Sequence, residues 1–194
     1  MRWVLAAVLL PAVALAQASG TCENLFQVDF PHDRELRIRV RSGDIDIVGT
    51  DSTMVKVSCE LRKNPAKAKD IAIRFKPGGQ ASELRVMGGP NGDVRIRIEV
   101  PNKTHLWVRS PAGDLTVAGV TGSKDIEIHA GDLKISVGNP SDYRHADASV
   151  FAGDLTASAF GVVKSGLFRS FEKDDLHGQY RLHAHVGAGD LVLH

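Results

Sequence analysis

Aspartates that directly follow glycine are the residues whose type and spacing first suggest chemistry. Carboxylates that come close together can bind Ca²⁺, a hard cation that prefers oxygen ligands. Glycine also accepts positive φ, and a following Asp can hydrogen-bond the amides of a turn. Calcium-binding nonapeptide repeats need paired glycines at a nine-residue spacing, which this chain lacks. We therefore predict structural turns, with Asp114, Asp132 and Asp154 as weak metal candidates. The pairs are Gly43-Asp44, Gly92-Asp93, Gly113-Asp114, Gly131-Asp132, Gly153-Asp154 and Gly189-Asp190.

Two histidines form a second, weak candidate metal site. His183 and His185 flank one residue, so on a strand they share a face. With His177 or His194 they could hold Zn²⁺ or Cu²⁺, but no Cys, Asp or Glu is visibly spaced to complete the set. The expectation is therefore no metal and no cofactor.

Arginines alternate along two segments and predict basic rows on a sheet surface. Arg37, Arg39 and Arg41 lie on one segment, and Arg95 and Arg97 lie on another. Such rows can recognise an acidic polysaccharide or a phosphate, although a solvated sheet face that discourages edge aggregation is their commoner role. Two aromatic residues that could stack on sugars are Trp107 and Tyr180.

Catalytic motifs are missing from the sequence. Ser, His and Asp all occur, but no nucleophile elbow, zinc-protease helix motif or Gly-rich phosphate loop appears. We therefore predict that the protein has no catalytic residues and is not an enzyme.

The N-terminal residues predict export. Arg2 precedes an apolar run, Val4 to Leu15, and small-residue cleavage sites follow, so residues 1–18 are predicted to be a secretory signal peptide cut after Ala16 or Ala18. Two cysteines in an exported chain predict a disulfide between Cys22 and Cys59.

Charge is nearly balanced along the chain. Its 24 Lys and Arg residues stand against 23 Asp and Glu residues, and loss of Arg2 with the signal peptide leaves the rest neutral. No global field then favours nucleic acid or an anionic membrane. No second apolar segment is long enough to anchor the processed chain in a membrane.

Alternation of apolar and polar residues predicts the elements that must position these side chains. Val94 to Val100 is the longest example, and short alternating segments recur from Leu36 to Leu193. The fold is therefore predicted to be all-β. The Gly-Asp pairs recur roughly every 20 residues, which favours a β-solenoid with one such rung per repeat. The alternative is an antiparallel meander or sandwich of Gly-Asp hairpins, in which Ile128 would face Ile135.

Residues 19–194 are predicted to form one domain. Within it, residues 19–89 are expected to cap one end, and residues 90–194 are expected to form the regular Gly-Asp body.

The order of motifs resembles a known family. The segment Val100-Pro101 to Val108 leads into Ser110-Pro111-Ala112-Gly113-Asp114-Leu115, and Ile45 to Gly49 and Met54 to Val57 precede it. This series is similar to the bacterial adhesin-type family DUF4097, a domain of unknown function with β-strand repeats. The resemblance covers roughly residues 28–194 and implies a solenoid-like fold outside the cytoplasmic membrane, with no established catalytic residues.

The sequence thus predicts a non-catalytic bacterial envelope protein, periplasmic or secreted, that presents a β-repeat surface for adhesion, scaffolding or partner binding. Its expected partner is a protein or an envelope glycan rather than nucleic acid. A periplasmic metal- or glycan-binding module is the alternative, and a small carbohydrate-active enzyme is the least favoured class.

Overall fold

A computed structural model describes residues 17–89 and 93–194 of the chain. Most of the predicted signal peptide, and Gly92 of one predicted turn, lie outside the described residues. Ala18, the later of the two expected cleavage sites, is the first residue of strand β1 (Ala18–Thr21), where it pairs with Phe75.

Short strands make up most of the described residues, as the alternation predicts. The next eight are β2 (Phe26–Asp29), β3 (Arg34–Val40), β4 (Asp44–Thr50), β5 (Met54–Leu61), β6 (Ile71–Lys76), β7 (Ala81–Gly88), β8 (Val94–Pro101) and β9 (Thr104–Ala112). The remaining nine are β10 (Leu115–Ala118), β11 (Lys124–Ala130), β12 (Leu133–Ile135), β13 (Tyr143–Ala152), β14 (Leu155–Ala157), β15 (Val162–Lys164), β16 (Leu167–Asp174), β17 (Tyr180–Ala188) and β18 (Leu191–Leu193). Short 3₁₀ helices span Pro65–Asp70, Pro140–Asp142 and Ser158–Phe160.

The strands form two nine-stranded mixed sheets. Sheet A has the order β1-β6-β7-β3-β9-β11-β17-β13-β16, and sheet B has the order β15-β14-β18-β12-β10-β4-β8-β5-β2. One apolar cluster contains inward-facing residues of both sheets, so the core lies between them. The outward-facing side chains of each sheet are consequently left for solvent or for partners.

The repeated unit is a strand in sheet A, a Gly-Asp corner and a strand in sheet B. Five such units, β3–β4, β9–β10, β11–β12, β17–β18 and β13–β14, stack in parallel in this order in both sheets. Strands β7 and β8 occupy the equivalent places next to β3 and β4. The pair β17–β18 therefore lies between two units that precede it in the sequence.

This arrangement confirms the all-β prediction and revises its details. The alternative of Gly-Asp hairpins is wrong, because Ile128 lies in sheet A and Ile135 in sheet B. The predicted solenoid is not confirmed, since the units do not stack in chain order and antiparallel strands complete both ends of each sheet. The expected cap, residues 19–89, contributes β3 and β4 to the interior of the stack.

Glycine is required at the corners because successive corners approach closely. Gly131 has φ of 124° and Gly189 has φ of 134°, a conformation that L side chains rarely adopt. A Cβ on Gly131 would also overlap the carbonyl oxygen of Gly113, and a Cβ on Gly189 would overlap that of Gly131. Any other residue at these positions would therefore strain the backbone and push neighbouring units apart.

The corner aspartates link each unit to the next. The amide of Asp132 donates to the carboxylate of Asp114 at 2.9 Å, and the amide of Asp190 donates to Asp132 at 3.0 Å. The amide of Asp154 donates to Asp190 at 2.9 Å. These backbone donors stabilise carboxylates that would otherwise repel one another along the edge.

Aliphatic residues just after the corners form a continuous buried row in sheet B. The row runs Ile45, Leu115, Leu133, Leu191 and Leu155, all at most 1 % exposed. Burial of one such side chain is worth about 1.5–3 kcal/mol, so the row makes a large contribution to the parallel stacking.

The disulfide predicted from the sequence is present between Cys22 and Cys59, which are 37 residues apart. Cys22 follows β1 at the edge of sheet A, and Cys59 lies in β5 of sheet B. The bond therefore links the two sheets at one end of the stack. In the chain-entropy model such a closure stabilises by roughly 2–4 kcal/mol.

One lysine is buried at the end of β11 that is remote from the corner. Lys124 is 1 % exposed, and its Nζ donates to the Tyr143 hydroxyl and to the carbonyl of Gly122. The Tyr143 hydroxyl in turn donates to the carbonyl of Val137 at 3.2 Å. Burial lowers the pKa of Lys124 to about 8 and raises the pKa of Tyr143.

The first prediction concerns the corner. Gly131→Val should lower the urea midpoint far more than Lys134→Ala, because strained backbone costs on the order of 1–3 kcal/mol before the clash with Gly113 is counted. Asp132→Ala should fall between them, since it removes a hydrogen bond worth about 1 kcal/mol. Lys134 is exposed on the outer face of sheet B, so its truncation is the matched control.

Urea unfolding of the three variants, with and without calcium, tests the order. A largest loss in Lys134→Ala would contradict the corner model, and a calcium effect abolished by Asp132→Ala would indicate a cation site.

The second prediction concerns Lys124. Its pKa is lower in the folded chain than in the unfolded chain, so between pH 8 and about 10 the unfolded state binds the extra proton. The free energy of unfolding should therefore rise by about 2–3 kcal/mol across this window. Above pH 10 the trend should reverse as tyrosine ionises in the unfolded chain, because the folded chain raises the pKa of Tyr143.

Urea unfolding of the parent and of Lys124→Met at several pH values between about 7 and 10 measures this difference. The Met variant should show no rise attributable to this position and should be the more stable protein near neutral pH. Parallel pH profiles of the two proteins would exclude a role for Lys124.

Candidate functional site

The outer face of sheet A carries a row of arginines on four adjacent strands. Arg74 on β6 lies directly opposite Arg85 on β7, and Arg85 lies opposite Arg39 on β3. Arg39 in turn lies opposite Arg109 on β9. We call these four residues the arginine row. Like charges directly opposite one another destabilise a sheet, so the row has a cost that the core must offset.

Few carboxylates compensate the first three members of the row. The Nε of Arg85 lies 2.8 Å from Glu83, and the Nε of Arg39 lies 3.6 Å from the same carboxylate. The hydrogen bond from Arg85 holds the pKa of Glu83 below its ordinary value, so Glu83 stays ionised. Arg74 forms no ion pair with any residue of the described ranges. This end of the face consequently carries excess positive charge.

Arg109 is the last member of the arginine row, and ion pairs and hydrogen bonds fix its side chain. Its guanidinium contacts the carboxylates of Asp125 at 2.7 Å and Glu127 at 2.9 Å, and donates to the carbonyls of Val108 and Asp125. It also lies 4.1 Å from the ring centre of Trp107, while Arg39 lies 5.1 Å from that ring. Both guanidinium groups pack over the indole, so Trp107 supports the row rather than offering a free face to a sugar.

Two grooves flank the arginine row. The larger has a volume of about 360 Å³ and is lined by Arg39, Arg85 and Arg109 of the row together with Arg41, Met87 and Pro111. The smaller has a volume of about 220 Å³, shares Arg85 and includes Arg74 and Lys76. The row is therefore bordered by concave surface in which a ligand chain can lie.

The other half of the same face is acidic and rich in histidine. His183 pairs with Asp147 at 2.6 Å, and His145 pairs with Asp174 at 2.8 Å. The hydrogen bond with Asp174 is the main cause that raises the pKa of His145. Asp147 also lies 3.3 Å from His145, so one network crosses β16, β13 and β17. Sheet A thus has a basic half and an acidic half on one surface.

The structure brings two acidic residues to His183 that the sequence analysis did not associate with it. Asp125 and Glu127 on β11 come close to His183, and one donor atom from each lies within 4.8 Å of the others. The carboxylates already contact Arg109, which supplies the positive charge that a metal would bring. His185 instead pairs with Ser149 at 2.8 Å. The arrangement therefore favours an ion-pair network over a metal centre.

The other residues singled out in the sequence take part in other contacts, and the aspartates among them lie at the corners. Asp114 and Asp132 accept backbone amides of neighbouring units, and the amide of Asp154 donates to the next carboxylate. His194 pairs with Ser136, and His177 lies in a loop beside Asp175, so neither joins His183. Tyr180 packs against Tyr143 and His105, not on an open surface.

The second predicted basic row lies on the opposite side of the molecule. Arg95 and Arg97 face outward from β8 in sheet B, where Arg95 lies 3.7 Å from Asp46 and Arg97 lies 3.2 Å from Glu99. Each of these two arginines thus lies near a carboxylate of its own. On the outer face of sheet A, by contrast, four arginines lie directly opposite one another across adjacent strands.

Sequence reasoning found Arg39 and missed its three partners in the row. Arg85 stands in a visible alternating segment, Leu84-Arg85-Val86, and Arg74 in another, Ile73-Arg74-Phe75. Their outward direction could be read from this alternation. Their alignment with Arg39 and Arg109 depends on the pairing of distant strands, which the sequence does not state.

A third prediction follows from the row. Arg74→Gln should raise the free energy of unfolding at low salt by about 0.2–1 kcal/mol, because it removes one of two like charges that face each other. The gain should shrink in about 0.5 M NaCl, where exposed charges are screened. Arg97→Gln is the control and should have the opposite sign at low salt, since it breaks the pair with Glu99. Denaturant unfolding at both salt concentrations measures the difference. A loss of stability at low salt in Arg74→Gln would contradict the mutual repulsion.

Comparison with solved structures finds two matches. A candidate cell adhesion protein from Clostridium sporogenes ATCC 15579 matches with a TM-score of 0.51 and 10 % identity, over 88 % of this chain and 98 % of its own. A candidate adhesin from Bacteroides fragilis NCTC 9343 matches with a TM-score of 0.34 and 8 % identity, over 88 % of this chain and 97 % of its own. No protein-family model matches the sequence. No curated protein sequence matches it either. At such low identity, the first likeness shows a shared fold.

Proposed function

We propose that the chain is a non-catalytic, exported protein of the bacterial cell envelope that acts in adhesion or partner binding through the outer face of sheet A. The proposal includes membership of the DUF4097 family and a solenoid-like way of stacking repeats. The observation that carries it is the alignment of charge: four arginines lie directly opposite one another on one half of the outer face of sheet A, and Arg39 and Arg85 share one carboxylate, Glu83, whereas Arg95 and Arg97 on sheet B each lie near a carboxylate of their own.

Charge segregation supports binding because it has a cost in the free protein. Directly opposed like charges reduce the stability of a sheet, and the surrounding strands offer one nearby carboxylate, Glu83, to Arg85 and Arg39. A partner with complementary charge removes the cost, and the resulting potential also speeds the encounter.

Export is supported by two features of the chain. The bond between Cys22 and Cys59 is typical of an oxidising compartment, and the apolar N-terminal run resembles a signal peptide. Across residues 17–89 and 93–194, no helix has the length and apolar character needed to span a membrane.

A non-catalytic role is supported by the polar pairs on the same face. Ser149 and His185 form a hydrogen bond of 2.8 Å, as a nucleophile and its base would. Among the described residues, however, no carboxylate contacts the other ring nitrogen of His185 to orient it. The carboxylates that contact His145 and His183 serve in ion-pair networks.

A fourth prediction tests this function. Tagged protein should co-sediment with washed cell envelopes, and the double variant Arg39→Glu/Arg85→Glu should lose at least about tenfold of that binding, because it reverses the charge of the basic half. The matched control is Arg95→Glu/Arg97→Glu on sheet B, whose arginines have similar exposure, 47 % and 50 % against 53 % and 45 %.

Circular dichroism and thermal unfolding establish that both double variants remain folded. Equal losses in the two variants would show that sheet A is not the binding face. Failure of the parent protein to bind envelopes from any fraction would refute the proposed function.

A further inference from the structure

We propose that the arginine row binds a linear carboxylated polysaccharide, laid across strands β6, β7, β3 and β9. This inference rests on the proposed function, namely that the outer face of sheet A is the binding surface. It adds the chemical class of the ligand and the residues that contact it.

The geometry of the row matches an extended polymer rather than a single anion. Neighbouring strands lie about 4.8 Å apart, so the four directly opposed arginines span about 14 Å in a straight line. Arg109 is held by Asp125 and Glu127, so Arg74, Arg85 and Arg39, which span about 10 Å, are the members that contact the ligand. A lone phosphate or carboxylate would engage one or two of them. A chain that carries a carboxylate on each sugar presents charges at a regular spacing along its length, as the row does.

The distribution of charge on sheet A predicts where the bound polysaccharide ends and where it leaves the protein. Arg109 is neutralised by Asp125 and Glu127, and beyond it the face becomes acidic. A polyanion is repelled from that half, where Asp147 and Asp174 lie. At the opposite end, Arg74 and Lys76 line a groove near the edge of the sheet. The polysaccharide is therefore expected to end at β9 and to leave the protein past β6.

Arginine is suited to carboxylates in this setting. Its planar guanidinium presents parallel N–H donors that fit a carboxylate oxygen pair, and it stays charged at any physiological pH. Apolar groups of Met87 and Pro111 line the adjoining groove of about 360 Å³ and can pack against the C–H faces of sugar rings. Arg41 adds positive charge to the far side of the same groove, and Glu127 adds a carboxylate at the end where the face becomes acidic.

Nucleic acid fits these features less well. The processed chain is close to neutral, with 24 basic and 23 acidic residues before Arg2 is lost, whereas phosphate-backbone binding relies on a basic domain. The acidic half of the same face would repel a long duplex that crosses it. A narrow single chain confined to the basic half avoids this repulsion.

The experiment uses polygalacturonate as the probe, with neutral dextran and a short DNA duplex for comparison. Trp107 packs between Arg39 and Arg109, so its fluorescence should change when a carboxylated chain binds the row. Binding should weaken about tenfold in Arg39→Gln/Arg85→Gln and about threefold in Arg74→Gln, and it should weaken with added salt. The controls are Arg97→Gln and Arg95→Gln/Arg97→Gln, which should bind like the parent.

One of the variants, Arg74→Gln, controls for loss of folding as a cause of weaker binding. Arg74→Gln is expected to be no less stable than the parent, so its weaker binding cannot result from unfolding. Calorimetric titration confirms affinities independently of the Trp107 signal.

The outcomes separate this inference from the proposed function. If envelope binding depends on sheet A but polygalacturonate does not bind, the ligand class is wrong and the proposed function stands. If DNA binds as tightly as polygalacturonate with the same loss in the variants, the row is a non-specific anion surface and the inference is overturned. Binding that is lost in Arg95→Gln/Arg97→Gln and kept in Arg39→Gln/Arg85→Gln would also overturn it.

Discussion

The close approach of successive Gly corners is the constraint on which the rest of the structure depends. In four of the five units the carbonyl oxygen of a neighbouring corner occupies the space that a Cβ on the corner glycine would need, at Gly113, Gly131, Gly153 and Gly189. Only glycine at positive φ fits there, and it fits in one register. The parallel pairing of both sheets is thereby set at a shared edge, with the corner aspartates bonded from unit to unit.

A fixed register at the corner aligns side chains into rows across the whole sheet. Inside, the residues that follow the corner form a row of Ile and Leu, which makes the stack stable. Outside, the same alignment brings any repeated charge into direct opposition. Arg39 therefore faces Arg109, and the parallel pairing of β3 with β7 places Arg85 on its other side.

Local patterns predicted the elements well and their partners poorly. Alternation and the Gly-Asp pairs indicated an all-β chain with glycine-dependent turns, because both signals depend on residues that are near in sequence. The hairpin interpretation was wrong because Gly-Asp turns a corner between sheets as readily as it closes a hairpin. The amide of Asp190 donates to the carboxylate of Asp132, 58 residues earlier. Strand β17 lies between β11 and β13, although it follows both in the sequence. Pairings at this distance set the arginine row and the contacts of His183 with Asp125 and Glu127, and no local pattern encodes them.

The fold contains two aligned rows of charge, the corner aspartates and the arginine row, and they differ in how their charge is compensated. The corner aspartates lie in register along an edge, but each of Asp114, Asp132 and Asp190 accepts an amide from the next unit, so backbone dipoles satisfy the charge. The arginine row also lies in register, but among the described residues Arg109 is the member of the row that donates to backbone carbonyls, those of Val108 and Asp125. Glu83 is the nearby carboxylate for both Arg85 and Arg39. Glu83, Asp125 and Glu127 compensate part of the row, and Arg74 has no ion-pair partner among the described residues. The outer face of sheet A, rather than the corner edge, is therefore where uncompensated positive charge remains.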